Sequence, residues 1–289
     1  MTITIFKDHD CKGKSQVVAG NIADLKGDAA DKPGSIRLTD DDEAVLLFKN
    51  DDWHGGALYI RGPKTVSDLG KADDGGRMGF GNSIRSVRVT PFSVDLNISV
   101  VMDTGERLPS GWANRAAAET AIRDIVAQAN AFLADKRALL RYEIARIRFR
   151  LDPKRFDISN WESWVLPGEW KEKNEIDVIF VQRFSKEPVI GRAKFPCFGQ
   201  AVMVAVMANQ KSGPDTPQSN ADMASVMVHE IGHYLGLSHG SANDNANNIM
   251  FDTYVGGTGF TGKILLPDQV REMHDRLANN ISRKGDRDA

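Results

Sequence analysis

The stretch Ser225-Val226-Met227-Val228-His229-Glu230-Ile231-Gly232-His233-Tyr234-Leu235-Gly236-Leu237-Ser238-His239 constrains this 289-residue chain more than any other. It contains the pattern His-Glu-x-x-His-x-x-Gly-x-x-His. On a helix, His229 and His233 lie one turn plus a fraction apart, so both imidazoles project from one face and can meet one ion. Glu230 sits about 100° round from His229, close enough to touch water on that ion without taking a ligand position. Gly236 supplies a left-handed residue that stops the helix, after which the chain can turn to bring in His239 as a third nitrogen. Three protein ligands leave one position open, as in a catalytic zinc, whereas a structural zinc normally closes its shell with four. Ser219 and Asp222 predict a capping box at the start of the ligand-bearing helix. Three of the six histidines in the chain fall in this pattern. At average composition its five specified residues would coincide by chance in about one chain in 10⁵, so accident is not a competitive reading.

Eleven residues after His239 comes Asn248-Ile249-Met250, beyond a polar loop at Gly240 to Asn248. Together with the histidine pattern this resembles the metzincin clan of zinc peptidases, in which a methionine turn forms a floor beneath the three histidines. The resemblance extends over most of residues 93 to 289. It implies one catalytic Zn²⁺ held by His229, His233 and His239, with Glu230 as general base, and hydrolysis of peptide bonds in protein or peptide substrates. Gly191-Arg192-Ala193-Lys194-Phe195-Pro196, ahead of an apolar strand at Gln200 to Ala208, looks like the loop and edge strand that border the clan's cleft. An extended peptide is expected to add to that strand near Met203 to Ala208. Substrate choice is expected from the pocket around Phe251 to Lys263. Two departures stand out. Gly240 does not match the residue that follows the third histidine in the best-known families, and Asp252 occupies the place of the tyrosine that serves astacin-like and serralysin-like enzymes. Tyr254 lies two residues further on; packing is its default role and catalysis the alternative. No cysteine-containing inhibitory prosegment of the matrixin kind is evident.

The first 90 residues read differently. Phe6-Lys7-Asp8 followed by Gly13 recurs as Phe48-Lys49-Asn50 followed by Gly55. Asp24-Leu25 returns as Asp68-Leu69, and Ser35-Ile36-Arg37 as Ser83-Ile84-Arg85, so landmarks repeat in order at a spacing of about 42 to 48 residues. Short alternating segments (Thr2 to Phe6, Val45 to Phe48, Ala57 to Ile60) between Gly, Asp and Asn clusters predict an all-β unit, two four-stranded Greek keys forming a sandwich. This arrangement resembles the βγ-crystallin family. In that family calcium binds at an acidic or amide pair, two free positions, then Ser/Thr and Ser. Asp31 to Ile36 and Gly81 to Ser86 each keep two of those four positions, and Lys32 and Arg85 bring positive charge to them. A bare structural duplication is therefore favoured over Ca²⁺ binding, which stays as the alternative.

Val89-Thr90-Pro91 ends the repeat. Residues 92 to 289 read as α/β: strands at Val94 to Met102, Ile144 to Phe149, Ile176 to Val181 and Gln200 to Ala208, a helix at Asn114 to Ala134 and a closing helix at Pro267 to Ala278. The expected architecture is α+β and multidomain: an all-β crystallin-like sandwich over 1–91, then an α/β metzincin-like catalytic domain over 92–289.

Charge and composition narrow the partners. Thirty-seven basic against 39 acidic side chains give a net charge of -2, so no whole-chain field draws the protein to nucleic acid. No apolar run approaches the roughly 18 to 20 residues that span a bilayer, which excludes an integral membrane segment of that kind. Cys11 and Cys197 allow one bridge or two free thiols. The amino terminus lacks the apolar core of a secretory signal, so export with a removed signal, export by another route and an intracellular location all stay open, with export expected. The expected activity is that of a zinc-dependent endopeptidase. The alternative is a crystallin-like binding or inhibitory module fused to a zinc-binding domain with little peptidase activity. In the first case the N-terminal domain either docks substrate or restrains the active site, and docking is favoured.

Overall fold

The computed structural model describes residues 3–26, 33–72, 84–159, 167–170, 175–186, 189–193, 201–208, 216–239, 245–251 and 259–280. The chain divides into two compact units. One comprises Met1–Ser93, Leu133–Arg141 and Leu265–Ala289; the other comprises Val94–Phe132 and Tyr142–Ile264. The first unit thus takes up two segments that a single cut after Pro91 assigns to the catalytic domain.

In the first unit, β1 (Ile3–Phe6), β2 (Ser15–Val18) and β3 (Ser35–Leu38) belong to one copy of the repeat, and β4 (Ala44–Phe48), β5 (Ala57–Arg61), β6 (Lys64–Val66) and β7 (Ser86–Arg88) to the other. They form two sheets, ordered β2-β1-β3-β6 and β5-β4-β7. Each copy lends a strand to the other: β6 pairs with β3, matching Ile36 with Val66, and Ile22 bridges Val87 on β7. That exchange makes the two copies one sandwich, because the apolar face of either copy alone would stay wet. Ile3, Ile5 and Ile36 from one sheet meet Val45, Leu47 and Val87 from the other in a common core. The double Greek key of βγ-crystallin type is therefore present.

The repeat is deeper in the backbone than in the letters. Asp10 and Cys11 have φ of 56° each, and their counterparts Asp52 and Trp53 have 53° and 60°; Gly13 and Gly55 follow at 75° and 79°. Left-handed non-glycine residues cost on the order of 1 kcal/mol each and persist only when over-determined by their surroundings. The determinant is a buried serine. Ser35 donates its hydroxyl to the Asp8 carbonyl at 2.5 Å and accepts from the Cys11 amide at 2.9 Å. Ser86 donates to the Asn50 carbonyl at 2.7 Å and accepts from the Trp53 amide at 2.9 Å. The counterpart of Ser35 is thus Ser86, not Ser83 as the Ser-Ile-Arg match had it. A tripeptide likeness carries no information on which hydroxyl is buried under the folded hairpin. Asp31, Lys32 and Gly81 to Ser83, named for calcium, lie outside the described residues, as does Cys197; Cys11 is free and half-buried.

Helix α4 (Pro267–Asn280) belongs to the same unit and lies along β5. Val270, Met273 and Leu277 are buried on the side that their spacing predicts. Asp275 accepts the Ala57 amide at 2.8 Å, and Tyr59 donates its hydroxyl to the Arg137 carbonyl at 2.9 Å. His274, fully buried, lies 2.8 Å through Nε2 from the Ala138 carbonyl. The Phe92 ring meets Phe48 and Trp53 edge-on at 6.1 and 6.2 Å, His274 at 5.5 Å, and the Arg88 guanidinium at 3.6 Å.

The second unit holds β8 (Phe92–Met102), α1 (Arg115–Asp135) and β9 (Leu140–Leu151) for most of their lengths. After these come a one-turn α2 (Pro153–Phe156), β10 (Asp157–Ile158), β11 (Ile176–Val181), β12 (Arg183–Phe184), β13 (Gly191–Ala193), β14 (Val202–Ala205), β15 (Met207–Ala208), β16 (Thr216–Pro217) and α3 (Asn220–Tyr234). Its main sheet is ordered β13-β14-β11-β8-β9. β8, β11 and β14 run parallel, with Ile98 opposite Val178 and Val178 opposite Val202; β13 runs antiparallel to β14. β11 and β14 are buried along their whole lengths and read as unbroken apolar runs, as parallel strands do. Ile122, Ile125 and Ala129 of α1 are buried as their spacing predicts. The predicted strand at Gln200 to Ala208 is two strands, β14 and β15, separated at Val206. Nor is it an edge. β14 lies between β13 and β11, so among the described residues the edge is β13. Three residues, Gly-Arg-Ala, have no alternation to detect.

The sharing of α4 and β5 within one unit yields a prediction. Asp275→Ala in the full chain removes a charged acceptor from a strand amide, and should cost about 1–3 kcal/mol, seen as a lower urea midpoint at unchanged slope. A chain of residues 92–289 alone strips α4 of the strand it lies on, and should unfold at a lower urea midpoint than the full chain in the same assay.

Candidate metal centre

Helix α3 starts as its capping box predicts. Ser219 accepts the Asp222 amide at 3.1 Å and donates its hydroxyl to Asp222 Oδ2 at 2.7 Å. The other oxygen, Asp222 Oδ1, accepts the Gly259 amide at 3.0 Å. One buried carboxylate therefore both holds the capping hydroxyl and anchors the chain at Gly259. At the far end, Gly236 takes φ of 97°, Leu235 donates to the Ile231 carbonyl and Leu237 to that of Gly232, each at 2.9 Å. These bonds satisfy carbonyls that the helix leaves open, and the left-handed turn redirects the chain toward His239.

The three histidines meet. Nε2 of His239 lies 2.8 Å from Nε2 of His233 and 3.2 Å from Nε2 of His229. Two rings are fixed from behind: His229 Nδ1 is 2.7 Å from the Ile249 carbonyl, and His233 Nδ1 is 2.8 Å from that of Leu237. A carbonyl can only accept, so Nδ1 carries the proton on both rings and Nε2 presents its lone pair. Lone pairs converging at such distances repel unless a cation lies among them. Three imidazole nitrogens suit zinc, whose bonds to nitrogen are about 2.0–2.1 Å, and the donor set fits that ion. Among the described residues this is the one group of three or more histidine, cysteine or acidic side chains close enough to share an ion.

Met250 is fully buried beneath the centre. A Cβ on Gly232 would stand 2.6 Å from Met250 Sδ, so the glycine inside the helix makes room for the methionine. The turn is held by its own polar groups. Asn248 Oδ1 accepts the Met250 amide at 2.9 Å, Ile249 donates to the Ile264 carbonyl at 2.9 Å, and Ile264 donates to that of Asn247 at 2.8 Å. Ile249, whose carbonyl orients His229, is thereby anchored on both sides.

Glu230 lines the same cavity as the three histidines and is 7% exposed. Burial pushes its carboxyl up to about 8, and the Arg192 guanidinium opposes that rise. It rests against β13: a Cβ on Gly191 would lie 2.7 Å from Glu230 Oε1 and 2.4 Å from Val226 Cγ1. A cavity of about 370 Å³ opens over the centre, bounded by Ile190 to Ala193, the three histidines, Glu230, Phe251 and Lys263.

All four residues singled out in the sequence are thus brought to one place. Gly240, Asp252 and Tyr254 lie outside the described residues. Sequence reasoning marked Gly191 and Arg192 as bordering the cleft but gave neither a part in the site. Lys263 closes the stretch from which substrate choice was expected, and it does line the cavity. The Asp222–Gly259 tie was missed, and nothing local marks it.

A family model described as Matrixin matches residues 119–269, more than half of the chain. Among solved structures, a βγ-crystallin from Ciona intestinalis is 19% identical over 31% of this chain and 100% of its own, with a TM-score of 0.25. A βγ-crystallin from an archaeon is 19% identical over 30% of this chain and 95% of its own, with a TM-score of 0.26. A βγ-crystallin domain from Flavobacterium johnsoniae is 23% identical over 30% of this chain and 91% of its own, with a TM-score of 0.23. No curated protein matches the chain. Metal analysis tests the centre directly: the purified chain should carry about one zinc by the three-ligand logic, and His233→Ala should lose most of it after dialysis, while full retention would remove these histidines as its ligands.

Proposed function

Because the chain belongs to the matrixin family of peptidases, we propose that it is a zinc-dependent endopeptidase in which His229, His233 and His239 hold one zinc ion and Glu230 is the general base. The observation that carries this reading is the convergence of three Nε2 atoms within 3.2 Å of one another or less along the two measured sides, with a buried carboxyl one residue from the first of them. When bound, zinc supplies Lewis acidity, lowering the pKa of a water toward about 7 and polarising the scissile carbonyl. A cation bound beside Glu230 would oppose the burial that raises its carboxyl, and Glu230, as the carboxylate, would take a proton from water on one oxygen and deliver it to the departing amine. Gly191 and Val226 enclose the carboxylate, so it faces its task with little competing solvent. Met250 and the bonded turn behind it hold the His229 ring to one orientation. A substrate in extended form is taken up along β13, whose edge offers main-chain partners.

A zinc-binding protein without hydrolytic action leaves Glu230 unexplained. Burying a carboxyl costs solvation that the facing Arg192 offsets only in part, and its enclosing strand carries the glycine that admits it. Among the described residues no helix is long and apolar enough to cross a membrane.

Glu230→Gln should retain zinc and the thermal midpoint while turnover of a protein substrate falls by about 10² to 10⁴, the usual contribution of a general base. Activity within tenfold of the parent at equal zinc would assign the base elsewhere. Gly191→Val should act through the same carboxylate, since the added side chain must displace Glu230 or Val226. Zinc is expected to stay and kcat to fall by at least about tenfold, read by metal analysis beside single-turnover kinetics.

A further inference from the structure

The described wall of the cavity carries one carboxylate, Glu230, against two cations, Arg192 and Lys263. The imidazoles add no negative charge to balance them. The described wall therefore carries a cationic excess, which a bound divalent ion would enlarge. Both cations are rigidly based. Arg192 stands on β13, in register opposite Met203 of β14. Lys263 donates its backbone amide to the Phe260 carbonyl, and the next residue, Ile264, is bridged to Asn248 of the methionine turn. Neither position is a loop tip that could swing its charge away.

Their existing partners differ. Arg192 faces Glu230, which accounts for one charge. Lys263 Nζ donates to the Ala246 carbonyl at 3.2 Å, and no carboxylate pairs with it among the described residues. Partial burial holds its ammonium below the ordinary lysine range. A half-buried ammonium served by one carbonyl, in a cavity meant to receive a ligand, has donors to spare for an anion.

We propose that this cleft selects substrates bearing a carboxylate near the bond to be cut, and that Lys263 and Arg192 are the residues that recognise it. The inference rests on the peptidase reading for its meaning but not for its test. A glutamate or aspartate side chain and a chain-terminal carboxylate share the chemistry. Either would relieve the cationic excess, whereas a lysine or arginine side chain would add to it.

Binding to the zinc-loaded full-length chain carrying Glu230→Gln tests the proposal, by fluorescence anisotropy of labelled heptapeptides. One series moves a single Glu, or Gln in its place, through a neutral sequence with an amidated end. A second compares the free-acid and amidated ends of the neutral peptide. At one position at least, or at the free end, the carboxylate form should bind about tenfold more tightly, and the advantage should shrink as salt is raised. Lys263→Gln and, separately, Arg192→Gln should each cut the advantage to less than about threefold with zinc content unchanged. Lys263→Gln alters a partly exposed side chain and keeps the test sound if the Arg192 variant does not fold. An advantage in the first series assigns a side-chain carboxylate, and one in the second a terminal carboxylate; both support the proposal. Equal binding of acidic and neutral peptides would overturn it, as would an advantage that survives the Lys263 substitution undiminished, since the metal would then be the selector. Turnover of the same peptides by the unsubstituted chain, with and without a chelator, is scored separately. Failure to cleave any of them counts against the peptidase reading and leaves the binding comparison decisive for the carboxylate.

Discussion

Three imidazole nitrogens are drawn together, two of the separations being 2.8 and 3.2 Å, and the second unit is organised around holding them there. The force comes from the backbone. A carbonyl behind His229 and another behind His233 settle which nitrogen is protonated, and the segment that provides the first is itself bridged to Ile264. Helix α3 places two rings on one face, its left-handed exit at Gly236 delivers the third, and Met250 fills the space that Gly232 leaves beneath them. Orientation of this sort is what a metal centre needs before any ion arrives, because ligand rings that must be reorganised on binding lose affinity.

The same device, one buried polar group deciding a backbone conformation, recurs across the molecule. Ser35 and Ser86 each hold a folded hairpin whose two left-handed residues would otherwise relax. Asp222 uses one oxygen for the helix cap and the other for Gly259, so a local start signal doubles as a long-range tie. Asp275 does likewise for α4 and β5. In each case the bond is worth about a kcal/mol or so in net stability, yet it removes alternatives that apolar packing, being non-directional, would tolerate.

Legibility followed the range of the interaction. The Ser219 cap, the α3 helix, the Gly236 stop and the burial stripes on α1 and α4 were readable because their determinants lie within a few residues of one another, at periods that the backbone imposes. The double Greek key was readable from its repeated Phe6 and Phe48 landmarks. Its register was not: the hydroxyl that matters, Ser86, is identified only by what it lies beneath. The strand β13 has no signature in the sequence, because three residues carry no period, and neither has the interior place of β14, because nothing in an apolar run reveals which neighbour covers it.

What the sequence by itself determined is the set of chemical groups: three nitrogens, a carboxylate and a methionine whose spacing admits one arrangement on a helix and its exit. Tertiary structure alone decided what surrounds them. Glu230 became a buried carboxyl because Gly191 of β13, 39 residues upstream, lies at the point of contact, and Lys263 became a wall of the cleft because a backbone bridge ties its neighbour to Asn248. Spacing along a helix is a property of one segment, whereas burial, charge environment and strand order belong to pairs of segments. Those pairs are chosen by the packing of the whole.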